Sequence, residues 1–147
     1  MTHIEDSIVI RGELKNIYNV ARDVESYPKF IPGYLESKIV EFREGKPVIK
    51  RVTLVKGKPI AWRSIASFQS DKSIEFEQIE GRLRGMKARW IFEEVSEGTK
   101  VIITHDFTLG PPLIGRFLET FVAKPAVSRM AKTVLEALKK FIEMKHQ

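Results

Sequence analysis

The chain has 147 residues, of which 43% are hydrophobic and 30% charged, with a formal charge of +6. That is enough apolar material for one core and too much for a disordered chain, and the length argues against a second domain. No apolar run approaches the roughly 20 residues of a membrane-crossing helix. The start, MTHIEDSIVI, lacks the basic-then-apolar layout of a signal peptide, so a single soluble, cytoplasmic domain is expected. Cysteine is absent, which excludes disulfides, thiolate chemistry and cysteine-held metal. The three histidines, His3, His105 and His146, lack the close helical spacing of a zinc motif, so neither a metal nor a cofactor is expected.

In chain order, Ile4, Asp6, Ile8 and Ile10 alternate with Glu5, Ser7, Val9 and Arg11, the period of a strand with unlike faces. Leu14, Ile17, Tyr18 and Ala21 then share one face of a short helix that should end near Val24. Pro28 and Pro32 break up SYPKFIPG, which predicts a compact or broken helical turn anchored by Tyr27, Phe30 and Tyr34. Turn signals at EGKP, KGKP, SDKS and SEG divide the next stretch into strands near Glu36–Arg43, Val48–Val55, Ile60–Gln69, Ser73–Ile79, Leu83–Glu94 and Thr99–Thr108. Short turns imply antiparallel neighbours, so seven strands in a meander are expected to form one strongly twisted sheet.

Beyond Gly110 the period changes to about 3.6, with Ile114, Phe117, Leu118 and Phe121, then Val127, Met130, Ala131, Val134, Leu138, Phe141 and Ile142 on one face. This predicts a long C-terminal helix kinked at Pro125, which lacks an amide donor and whose ring crowds the carbonyl of Phe121. The fold class is therefore α+β, one large antiparallel sheet curved around one helix. A twisted sheet seldom closes perfectly on a cylinder, so a gap between them is expected. The side chains available to line it are Tyr34, Trp62, Phe68, Phe76, Trp90, Phe92, Phe107, Phe117, Phe121 and Met130, a lining suited to a flat or greasy ligand. The plainer alternative is that they fill a core.

DVESYPKFIPGY at Asp23–Tyr34, SIEFEQIEGRLRGMKARWIF at Ser73–Phe92 and VIITHDFTL at Val101–Leu109 resemble the START-like polyketide cyclase/dehydrase family. The nearest branch is the one holding coenzyme Q-binding and ribosome-associated toxin-like proteins. The resemblance implies a helix-grip fold with a hydrophobic cavity between sheet and helix. It differs from that branch at Ile65, where an arginine is usual, and at His105, where an apolar residue is usual.

Among polar candidates, His105 shares a strand face with Val101, Ile103 and Phe107 and is the one catalytic candidate, as a general base or as a donor to a ligand carbonyl. A core histidine bonded to a backbone carbonyl, Tyr18 or Tyr34 is the alternative. Its neighbour Asp106 points to the other face, which forbids a simple dyad. Gln78 and Glu80 follow Phe76 on the inward parity, with a turn position beside Gly81 at the cavity mouth as the equal alternative for Glu80, whereas Arg63 and Arg89 flank the tryptophans and should face outward. The acid-free basic run of Lys46, Lys50, Arg51, Lys56, Lys58 and Arg63 is read as a solvated exterior, with a ribosome or an anionic membrane as its conceivable partner. DNA is not expected, and the sequence sets no oligomeric state. A hydrophobic small molecule, polyketide-, quinone- or lipid-like, is the expected ligand, held by a binder, carrier or chaperone. A cyclase or dehydratase using the same cavity is the enzymatic alternative.

Overall fold

The alternation of the first residues produces strand β1 (Thr2–Ile10), which buries Ile4, Asp6 and Ile10. In the computed structural model, which describes residues 1–109 and 122–145, it is followed by helix α1 (Leu14–Arg22), a 3₁₀ turn (Val24–Ser26) and a short helix α2 (Tyr27–Phe30). Pro28 stands at the start of α2, where its missing amide donor costs nothing. The strands β2 (Tyr34–Arg43), β3 (Lys46–Val55), β4 (Lys58–Gln69), β5 (Ser73–Glu80), β6 (Lys87–Val95) and β7 (Gly98–Phe107) come next, then helix α3 (Lys124–Lys145).

All seven strands form one antiparallel sheet in the order β1-β7-β6-β5-β4-β3-β2. The expected meander therefore holds only from β2 to β7. The first strand joins the far edge, because the segment from Arg11 to Gly33 is no hairpin turn: α1 and α2 carry the chain from one edge of the sheet to the other. Two hairpins turn on residue pairs with positive φ, Glu44–Gly45 (50° and 80°) and Lys56–Gly57 (52° and 77°), the left-handed pairs that match the twist of adjoining strands. The sixth strand begins at Lys87, later than the expected Leu83, because residues 81–86 form a loop tied to Gln78. The Gln78 amide donates to the Met86 carbonyl (2.9 Å) and its carbonyl accepts from the Gly85 amide (2.8 Å).

Of the predicted stripe on α3, Val127, Ala131, Val134, Leu138 and Ile142 are buried and Met130 and Phe141 half-buried, and the unpredicted Leu135 is buried with them. Pro125 is the second residue of α3, and Val122 and Ala123 before it already have helical backbone. Ile114, Phe117, Leu118 and Phe121, on which the expectation of a helix continuing across a kink depends, lie outside the described residues. Lys139 donates to the Val9 carbonyl (2.8 Å) and pairs with Glu143 (2.7 Å), which also accepts from the Arg11 amide (3.0 Å). These bonds fasten α3 to the end of β1 and hold the Glu143 carboxyl below its ordinary pKa.

The apolar interior is in two parts. The main core gathers α1, α2 and the C-terminal half of α3 over the sheet, with Tyr18 edge-on to Phe92 at 5.1 Å. A smaller cluster of Ile4, Phe107, Ala123 and Val127 lies under the start of α3.

Candidate functional site

The helix does not close on the sheet along its whole length. Facing α3, the inward parity places Ile49, Arg51 and Thr53 on β3, Trp62 and Ser64 on β4, Phe76 and Gln78 on β5, Trp90 on β6, and Ile103 and His105 on β7. Tyr34, Trp62, Phe76, Gln78, Trp90, His105 and Met130 all line one inner chamber of about 60 Å³. A larger outer chamber of about 310 Å³ shares Trp62, Gln78, Met86, His105 and Met130 and extends past Ile60, Leu83 and Val127 to Leu109 and Val122. A third hollow of about 170 Å³ lies beside Tyr34, Thr53 and Arg129 and again meets Met130. A further depression of about 390 Å³, between Phe30 and Phe141, is a groove outside the grip that shares no side chain with the inner chamber.

Three expected lining residues lie elsewhere. Phe92 packs into the main core against Tyr18 and Trp90. Phe107 belongs to the cluster with Ile4 and Val127. Phe68 has the parity of Trp62 but stands at the end of β4, 36% exposed, with the Arg22 guanidinium 5.7 Å from its ring centroid. Phe117 and Phe121 lie outside the described residues.

Glu80 is not a cavity residue either. The pairing passes from Arg63↔Glu80 to Ser64↔Gln78, skipping Ile79, and this bulge turns Glu80 to the exterior beside Arg63 (3.4 Å). Arg63 and Arg89 are on the outer face as the tryptophan parity requires, and so is Ile65.

Arg51 does not lie on the solvated exterior with the rest of the basic run. Its side chain points inward, is 6% exposed, and forms part of the inner chamber wall. The guanidinium carbon is 4.4 Å from the ring centroid of Phe76, 5.1 Å from that of Tyr27 and 5.9 Å from that of Tyr34. Its Nε and Nη2 are buried without a hydrogen-bond partner among the described residues. Burial pushes the Tyr27 hydroxyl far above its ordinary pKa, against the opposing charge of Arg51, so that hydroxyl stays neutral and donates to the Ala21 carbonyl (2.5 Å). The basic run also loses continuity on its surface, because Lys50 pairs with Glu36 (3.7 Å) and Arg63 with Glu80.

His105 lies between Ile4 and Ala88 in register, facing α3. Burial lowers its pKa from 6.5 to about 4, against the pull of Asp6 and Asp106, so the ring is neutral at pH 7. Its Nδ1 is buried and bonds to nothing among the described residues. The alternative partner Tyr18 is engaged elsewhere, donating to the Ser73 carbonyl (3.3 Å). Asp106 sits on the outer face, 2.6 Å from His3. The inward carboxyl is Asp6, on β1, which accepts from Ser128 (3.0 Å) and keeps Oδ2 unpaired.

The family described as polyketide cyclase / dehydrase and lipid transport matches residues 11–139 of this chain. A Streptomyces halstedii protein provisionally named a polyketide cyclase is 29% identical over 101 residues, 65% of this chain and 92% of that protein. The solved structure of the Zhui aromatase/cyclase from a Streptomyces species superposes with a TM-score of 0.83 at 21% identity, covering 99% of this chain and 96% of that one. A START superfamily protein from Mycobacterium smegmatis superposes with a TM-score of 0.79 at 14% identity, over 97% of each chain. With the sheet gripping α3 as the fold required, the chain belongs to the polyketide cyclase/dehydrase and lipid-transport family.

Proposed function

We propose that the protein binds a hydrophobic small molecule, polyketide-, quinone- or lipid-like, between its sheet and α3, as a binder or carrier. The observation that carries this reading is the convergence of Tyr34, Trp62, Phe76, Trp90 and Met130 on an inner chamber that shares a wall with a larger one lined mostly by apolar side chains. Buried aromatic walls with a few polar groups suit such ligands. Small molecules co-purifying with the native protein, identified by mass spectrometry, test it together with tryptophan fluorescence titrations against a naphthoquinone, a fatty acid and an aromatic polyketide. No co-purified molecule and no saturable quenching by any of the three would overturn it.

A second reading, cyclase or dehydratase activity in the same cavity, is favoured by one observation: the neutral imidazole of His105 in the cavity wall, whose buried Nδ1 has no partner among the described residues. Such a group accepts a proton from a carbon or hydroxyl held beside it, and a shaped cavity supplies the folding of a reactive chain. The test is turnover of a poly-β-ketone by wild type and His105→Leu. Loss of turnover with retained binding supports catalysis, and equal product distributions with and without protein refute it.

A further inference from the structure

Among the described residues, a buried cation at the inner end of the cavity has no counter-charge. Arg51 is always protonated at accessible pH and cannot escape burial by neutralising itself. Among the described residues no carboxylate ion-pairs with it, and none lines either chamber. The faces of Phe76, Tyr27 and Tyr34 offset part of the charge. They do not satisfy in-plane N–H groups, and a buried unpaired donor is costly. The two nitrogens without partners are Nε and Nη2. Their N–H bonds lie side by side on one edge of the guanidinium, the edge that grips both oxygens of a carboxylate in a bidentate pair. Nearby, the buried Ser64 and Gln78 line the same chamber and supply neutral hydrogen-bonding groups.

We propose that Arg51 is the anion-recognition site of the cavity. The inner chamber takes a planar oxyanion head with two oxygens, a carboxylate or the enolate of a 1,3-dicarbonyl, and the outer chamber takes the apolar remainder. This inference rests on the cavity being a ligand site and narrows the ligand from hydrophobic molecules in general to anionic amphiphiles.

The test is a pair of matched ligands, dodecanoate and dodecanol, titrated at neutral pH into wild type, Arg51→Met and Arg51→Lys. Wild type is expected to bind the acid at least tenfold more tightly than the alcohol. Arg51→Met should abolish that preference without weakening the alcohol, and Arg51→Lys should restore part of it. A 1-aryl-1,3-butanedione followed by enolate absorbance separates the two sources of the head group, since an enolate site ionises the bound diketone at lower pH in wild type than in Arg51→Met. Alcohol and acid binding equally well to wild type, with no shift in diketone ionisation, overturns the anion site and leaves the cavity standing. Neither dodecanoate nor dodecanol binding while the naphthoquinone or the aromatic polyketide still binds overturns the anion site alone; no binding by any of these overturns both. Because the acid-to-alcohol ratio in wild type is informative by itself, the test does not depend on a variant that folds.

Discussion

The guanidinium carbon of Arg51 lies 4.4 Å from the ring centroid of Phe76, in the wall of a chamber to which no acidic side chain among the described residues contributes. A charge held this way is retained at the expense of the unliganded fold: desolvating an ion costs several kcal/mol, more than a few ring contacts return. Arg51→Met is therefore expected to raise the stability of the empty protein by about 1 kcal/mol, read as a higher urea midpoint with an unchanged slope. A lower midpoint would show that the three rings outweigh desolvation.

The imidazole of His105 makes stability depend on acid. Its pKa is about 4 in the folded chain against an ordinary 6.5. Above pH 6.5 it is neutral in both states and contributes no slope. As pH falls from 6.5 toward 4 the unfolded chain takes up a proton that the folded chain refuses, so stability is lost across that window. His105→Leu removes this loss, and urea midpoints measured at intervals from pH 7 to 4 should fall more steeply for wild type than for the variant. Parallel curves would contradict the assignment.

Met130 borders all three hollows. A flexible thioether at such a junction can set how much of the space one ligand occupies. Met130→Ala should merge the hollows and move the preferred alkyl chain length upward, at a cost of about 1 kcal/mol in stability for a half-buried side chain. Met130→Trp should fill the junction and abolish binding of the longer chains while the protein melts cooperatively. A chain-length optimum that is the same in all three proteins would dismiss Met130 as a size determinant.

Gly98 opens β7 with φ +143°, and a Cβ there would run into the carbonyl oxygen of Ile10 and come within 3.0 Å of the Arg11 Cα. Both obstacles are backbone, so Gly98→Ala must push β1 away from β7 and should cost about 2 kcal/mol or more. Gly45, at φ +80° with open space around it, provides the control. Gly45→Ala should cost about 1 kcal/mol from backbone conformation alone. Equal losses in thermal denaturation would show that the approach of Gly98 to Ile10 relaxes freely.

Much of the sheet is legible in the chain because its turns demand particular backbone: Glu44–Gly45 and Lys56–Gly57 announce hairpins before any packing is considered. The inward tryptophans follow from alternation, and with them the outward Arg63. Alternation fails where a strand is apolar on both faces. On β3, Val48, Val52 and Leu54 oppose Ile49, Thr53 and Val55, so the period leaves the side taken by Arg51 undecided. Its parity with Ile49 and Thr53 was the available signal, and the surrounding lysines masked it. Glu80 escaped for another reason, since a bulge at Ile79 reverses parity without any mark in composition. The start of β6 was misplaced because Leu83 and Met86 read as strand residues while their backbone bonds close a loop on Gln78.

The pairing of β1 with β7 also shapes how the molecule comes into being. His3 and Asp106, joined across that pair, are 103 residues apart in the chain. The hairpins from β2 to β7 can zip in sequence as each strand is made, whereas β1, synthesised first, stays unpaired until the last strand has emerged. Its apolar Ile4, Ile8 and Ile10 are exposed throughout that interval, and the charged side chains between them, Glu5 and Asp6, are the ones that would keep such a waiting strand from pairing with a neighbouring chain.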